Sequence, residues 1–189
     1  MARFGVVLDA CVLYSITLTD TLLSIAETGL FSPMWSRQIT EEAQLALRKR
    51  LPEESHFGLS KRFSNMDDAF TNARIDPSPS LVSGLAPICP DPKDAHVVVT
   101  ALKGRAELIV TANIRDFPSS LLAPLGLHAL TPDEFLLDLL DRGPENTLMG
   151  LSAQAARKSH PSLTLTELTA GMSATTPKFV AAVQAKIGL

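Results

Sequence analysis

Cysteine is scarce in this chain. Cys11 and Cys89 are the only two among 189 residues, far apart and without Cys-x-x-Cys spacing. This argues against a disulfide framework or a thiolate metal site, and both are expected to be small core residues. The four histidines, His56, His96, His128 and His160, show no zinc-type spacing such as His-Glu-x-x-His. No apolar run approaches the roughly 18 residues needed to span a bilayer. The opening Met1-Ala2-Arg3-Phe4-Gly5-Val6-Val7-Leu8-Asp9 puts an acid where a signal peptide would have its apolar core. A cytoplasmic protein with no secretory leader is expected. There is no Gly-x-x-x-x-Gly-Lys loop and no readable Ser-His-Asp or Cys-His pairing. P-loop nucleotide hydrolysis and acyl transfer therefore lack their parts. Basic charge is not in excess either: 17 Lys and Arg against 20 Asp and Glu leave a net charge of -3. That is unlike a protein that coats nucleic acid. It does not exclude a nuclease, because an acidic site lowers the net charge while a local patch still meets phosphates. Arg48-Lys49-Arg50, Lys61-Arg62 and Lys103-Gly104-Arg105 are such patches, unless they are merely solvated helix faces.

What is present is an ordinary globular composition, 46% hydrophobic and 20% charged. The length suits one domain with a sizeable core, or one domain plus an appendage. Short apolar runs at Arg3 to Leu8, Phe31 to Trp35, Leu85 to Cys89 and Ala106 to Thr111 are read as strands, with a fifth candidate at Leu127 to Leu130. Pro33 weakens the second. Helical patterns lie between them. Asp20 to Thr28 stops at Gly29. Ser36 caps a helix carrying Ile39, Ala43, Ala46 and Leu47 inward. Leu59 to Asn72 carries Phe63, Met66 and Phe70. Asp91-Pro92 opens a helix with Ala95, Val98, Val99 and Leu102 inward, and Thr131-Pro132-Asp133-Glu134 is a capping box before Phe135, Leu136, Leu139 and Leu140. Alternating strands and helices predict an α/β fold with a parallel central sheet covered on both faces. Gly143-Pro144 breaks the pattern. The reading is one unit over residues 1–142 and a small helical extension over 143–189.

Ligands of open parallel sheets gather at the carboxyl ends of the strands. Asp9 ends the first strand, Asp94 lies in the first turn of the helix after the third strand, and Asp116 follows the fourth strand by a few residues. Glu42 comes from the helix after the second strand. Carboxylates brought together there repel one another unless a cation or protons offset the charge. Hard oxygen ligands favour Mg²⁺ or Mn²⁺, one ion or two. Such an ion keeps waters, and one of them can attack a phosphodiester. Glu41 and Glu42 compete for one role. At about 100° per residue, Glu42 falls about 85° from the centre of the buried arc and Glu41 nearly opposite it. Each acid also has a structural alternative: Asp9 as a cap, Asp94 as a residue favoured by the helix dipole beside the cap Asp91, Asp116 as a turn residue, and Glu42 as a solvated helix residue.

The residues together resemble the PIN-domain family, and within it the VapC-like toxin branch, from Phe4 to about Leu130. Val6-Val-Leu-Asp9-Ala-Cys-Val-Leu-Tyr-Ser is similar to its first strand and first acid. Ser36-Arg-Gln-Ile-Thr-Glu-Glu42 is similar to its serine-led helix. Asp91-Pro-Lys-Asp94-Ala-His-Val-Val-Val-Thr-Ala-Leu is similar to its third motif, and Ile109-Val-Thr111-Ala-Asn113-Ile-Arg-Asp116-Phe to its fourth. The resemblance implies an α/β/α sandwich, Mg²⁺ or Mn²⁺, and endonucleolytic RNA cleavage leaving a 5′ phosphate and a 3′ hydroxyl. Asp9, Glu42, Asp94 and Asp116 would form the site, supported by Thr111, Asn113, Ser36 and Asp91. It further implies an antitoxin that blocks the acidic cleft, and homodimers. The family often has Asn, Ser or Thr two residues after the first acid, where this chain has Cys11. The competing readings are a phosphatase or phosphoreceiver-like domain, and a non-catalytic module that binds RNA or protein.

Overall fold

The structure is a computed structural model, and it describes residues 4–157 and 163–188. Arg3 and His160, both named above, lie outside the described residues. Four short strands form one parallel sheet: β1 (Gly5–Leu8), β2 (Ser32–Met34), β3 (Leu108–Val110) and β4 (His128–Leu130), in the order β2-β1-β3-β4. Every residue of β1 is buried. That is why it reads as an unbroken apolar run: a parallel strand with helices on both faces has no solvent side. Pro33 sits in β2, at the sheet's edge, where a missing ladder donor is tolerated.

The helices are α1 (Ala10–Leu13), α2 (Ile16–Glu27), α3 (Arg37–Arg50), α4 (His56–Ala69), α5 (Pro79–Leu85), α6 (Ala95–Gly104), α7 (Ser119–Leu122), α8 (Pro132–Arg142), α9 (Pro144–Arg157), α10 (Leu165–Ala170) and α11 (Pro177–Ile187). With right-handed crossovers, the path from β1 out to β2 and the path back across to β3 and β4 lay helices on opposite faces. The result is the expected α/β/α sandwich with a helical C-terminal region. The local signals hold at the ends. Ser36 Oγ accepts from Ile39 N at 3.2 Å to start α3, Thr131 and Glu134 close a capping box on α8, and Gly29 takes φ 91° after α2. No described helix is long and apolar enough to cross a membrane.

Three sequence expectations are corrected. Leu85 to Cys89 is no strand: it finishes α5 and turns through a 3-10 segment, Ala86–Ile88. Pro87 would remove a ladder donor there, and Ile88 is largely exposed, so a buried strand has neither its bonds nor its burial. Ala46 and Leu102 face solvent rather than the core. On α3 the buried set is Ile39, Thr40, Ala43 and Leu47. α6 is buried along Ala95 to Ala101, nearly all round, because it lies between the sheet and α5. Cys89 is buried as expected, whereas Cys11 is exposed as a residue, with only its Sγ enclosed among Asp9, Thr111 and Ala112 at the sheet edge described below.

The C-terminal helices are seated directly on the sandwich, α9 against α2 and α11 against α8. Gly150 permits the first contact. A Cβ there would lie 2.8 Å from Ile25 Cα and 2.9 Å from Ser24 O, backbone atoms that cannot swing aside. Alanine favours a helix over glycine by about 1 kcal/mol, but overpacking costs typically 1–3 kcal/mol. Gly150→Ala is therefore expected to lower stability in urea denaturation. A stabilised variant would mean that α9 does not pack this closely.

Candidate active site at the carboxyl edge of the sheet

The chain leaves β1 toward β2 and leaves β3 toward β4, in opposite directions. Between the carboxyl ends of β1 and β3 lies the switch point of the sheet, where such folds open a crevice. Asp9 stands there, its N–H continuing the ladder to Val110 O at 3.1 Å. It is only 8% exposed. Its Oδ1 accepts from Ala10 N at 2.6 Å, capping α1, so the structural role considered for it is real. Its Oδ2 accepts from Thr111 Oγ1 at 2.7 Å and from Cys11 Sγ at 3.1 Å. Each carboxylate oxygen retains acceptor capacity beyond these bonds.

The segment after β3 is held by the same threonine. Thr111 Oγ1 accepts from Asn113 N at 3.0 Å, and Asn113 Nδ2 donates to Asp116 Oδ2. Thr111 thus ties the first acid to the loop that carries the last one. Helices run back against the strands, so the N-terminus of α6 also lies at this edge. It brings Asp94, preceded by the short turn Pro92–Asp94 that Asp91 caps through Lys93 N at 2.9 Å. The Asp94 carboxylate makes no capping bond. Burial, then the negative charges of Asp9, Asp91 and Asp116, push its carboxyl from 3.8 up to about 6. Asp9, Asp91, Asp94 and Asp116 therefore share one field. Among the described residues no three such side chains stand close enough to form a ready-made metal cage. The donor set is nonetheless all oxygen and crowded with like charge, which suits a hard divalent cation.

Glu42, on α3, meets α6 at His96, two residues past Asp94. It is half-buried, while Glu41 is exposed, in the order expected. Its Oε1 lies 3.2 Å from His96 Nε2 and accepts from Gln38 Nε2 at 3.1 Å. Burial raises its carboxyl, but the bonds from His96 and Gln38 outweigh that and hold it below its ordinary value. Ser36 is fully buried and caps α3; it bonds to none of the acids.

Two participants were not assigned by sequence. Cys11 is bonded to Asp9, lies 3.4 Å from Thr111 Oγ1 and accepts from Ala112 N at 3.2 Å. Burial and then the Asp9 charge push its thiol up to about 11, so it remains a donor at neutral pH. His96 breaks an apolar run, Ala95-His96-Val97-Val98, as Asp9 does in its own strand. The same signal would have found it. Of the basic patches, Arg48, Lys49 and Arg50 are exposed in the last turn of α3, whereas Arg62 is engaged by Asp20 at 2.7 Å. Lys103 and Arg105 lie at the far end of α6, about 15 Å from its start by the helical rise.

A family model described as the PIN domain matches residues 5–115, more than half of the chain. This chain belongs to the PIN-domain family. Beyond the sandwich, this PIN-domain chain matches a second model, the VapC50 C-terminal domain, over residues 132–185, from α8 onward. It is 38% identical over 89 residues to a Mycobacterium tuberculosis protein named "Putative ribonuclease VapC50". That alignment covers 47% of this chain and 53% of the relative, so it spans about half the relative's length. No solved structure matches.

The raised Asp94 carboxyl has a stability consequence. A folded-state value above the unfolded one favours folding at low pH, and that benefit is lost as pH rises from 3.8 through about 6. Above that the charged form is a net cost, which solvent screening of this half-buried group limits to about 1 kcal/mol. Metal-free Asp94→Asn is expected to melt roughly 2–4 °C higher than wild type at pH 7.5, with the gain vanishing near pH 4. A variant that melts lower at pH 7.5 would show that Asp94 is not crowded by its neighbours.

Proposed function

We propose that this chain is a divalent-metal-dependent endoribonuclease, the toxin half of a type II toxin–antitoxin pair that works in the cytoplasm. The observation that carries the reading is the crowding of Asp94 by Asp9, Asp91 and Asp116 at the sheet's switch point, in a PIN-domain chain. The ribonuclease named among its relatives supports it. In this reading Asp9 and Asp94 are the principal ligands of Mg²⁺ or Mn²⁺, and Glu42 and Asp116 complete or orient the site. When bound, the ion supplies an activated water and offsets charge on the phosphoryl oxygens.

The protein's own contribution is placement. Thr111 and Cys11 fix the rotamer of Asp9, Asn113 fixes Asp116, and Asp91 shapes the turn that delivers Asp94. Arg48 to Arg50 lie about 9–12 Å along α3 from Glu42 by the helical rise, and Arg50 stacks 5.6 Å over Tyr14 beside α1. Together with the exposed Lys93 and Arg115, which adjoin Asp94 and Asp116 in the chain, they are the cations proposed to meet the RNA backbone. A phosphatase with an aspartyl nucleophile is disfavoured, because Cys11 stands two residues after Asp9, where such a site usually has a second Asp. An antitoxin that covers the acidic edge, and homodimers, complete the proposal. So does a division into a nuclease unit over residues 1–142 and a helical extension over 143–189.

With labelled RNA and Mn²⁺, wild type is expected to give internal cuts that chelation abolishes. Asp9→Asn and Asp94→Asn should each reduce the rate by about 100-fold or more, the scale of one decisive electrostatic group, while circular dichroism stays native. Full activity in either variant removes that residue from the site. In the same assay Glu41→Gln should be mild and Glu42→Gln severe; the reverse order would overturn the assignment on α3.

A further inference from the structure

His96 has no role in the chemistry set out so far, yet its position is unusual. The imidazole is 1% exposed, inside a helix whose neighbouring side chains are alanine, valine and threonine. Its Nε2 meets Glu42 Oε1 at 3.2 Å, linking α6 to α3. Its Nδ1 is buried and has no hydrogen-bond partner among the described residues. A buried N–H with no acceptor costs more than a bare lone pair that is left unused. The pair therefore requires the proton on Nε2, where Glu42 accepts it.

The same glutamate oxygen receives a second donor, Gln38 Nε2 at 3.1 Å. Two N–H groups thus converge on Oε1, whereas Oε2 takes no hydrogen bond among the described residues. One oxygen is anchored and the other keeps its full acceptor capacity. Gln38 is one turn away on the same exposed helix surface and can follow Glu42 wherever it moves. His96 cannot, being locked in the core beside Asp94.

We infer that His96 is a positioning residue, which fixes Glu42 by one oxygen so that Oε2 is presented to a divalent cation shared with Asp94. This rests on the nuclease reading of the acidic edge and deepens it, by naming the group that makes a mobile surface glutamate into a preorganised ligand. Outer groups that orient a ligand typically change metal affinity or activity by 10–100-fold when removed.

The test uses the full chain and three variants. His96→Leu keeps bulk and removes the donor; His96→Gln restores an N–H at the same reach; Glu42→Gln removes the ligand charge. His96→Leu is expected to weaken Mn²⁺ binding, read by titration without RNA, by about 10-fold, and to lower kcat by a similar factor with KM for RNA unchanged. His96→Gln should recover most of both. In a Glu42→Gln background, His96→Leu should add almost nothing, because the two act as one unit. Unchanged Mn²⁺ affinity and kcat in His96→Leu overturn the inference. So does a full additive loss in the Glu42→Gln background, or a His96→Gln protein no better than His96→Leu. If His96→Leu does not fold, the wild type still decides: its ¹⁵N-histidine spectrum should show the His96 proton on Nε2, shifted by Glu42→Gln. A proton on Nδ1, or an unmoved signal, refutes the pairing. A wild-type chain that neither binds Mn²⁺ nor cuts RNA rejects the nuclease reading. An active wild type beside an unimpaired His96→Leu rejects the positioning role alone.

Discussion

Like charges held together at one edge of a sheet are the constraint around which this molecule is arranged. Asp9, Asp91, Asp94 and Asp116 lie in one field, and burial together with that field raises the carboxyl of Asp94. No fold gains stability from that arrangement. It is sustained by neighbours that grip three of the acids: Thr111 and Cys11 on Asp9, Asn113 on Asp116, and the Lys93 amide on Asp91. The sandwich supplies the rest. Short parallel strands with apolar faces fix the edge, and the reversal of winding between β1 and β3 leaves a crevice at their carboxyl ends.

Cys11 shows how such a grip can be made from an unexpected group. Thiols are weak hydrogen-bond donors. Here burial and the adjacent carboxylate keep the thiol protonated, so it donates to Asp9 and accepts from Ala112 N. It links β1's end to the loop after β3. The residue expected in the core is instead part of the site's frame.

Much of this was legible in the sequence, for identifiable reasons. Asp9 and the Thr111–Asp116 segment interrupt or follow strongly apolar strands, where a carboxylate is costly without partners. Ser36 and Thr131 announce helix starts through their caps. Glu42 was separated from Glu41 by helical phase alone. The failures have physical causes too. Leu85 to Cys89 is short and apolar, and periodicity does not distinguish a strand from a helix end at that length. Ala46 and Leu102 fit an inward arc but fall just outside it, because Thr40 and the full circumference of α6 share the burial. Gly150 carries no signal in the sequence; only the approach of α9 to the backbone of α2 gives it meaning. His96 has no zinc-type spacing, and its signal lies instead in being a polar residue inside an apolar helix.

The account stands on acids from separate segments serving one cation. The most direct measurement is anomalous scattering from a crystal of the full chain grown or soaked with Mn²⁺. The account expects a manganese peak at the carboxyl edge of the sheet, with oxygens of both Asp9 and Asp94 at coordination distance. Manganese bound elsewhere, or held there by one of these residues without the other, would contradict it.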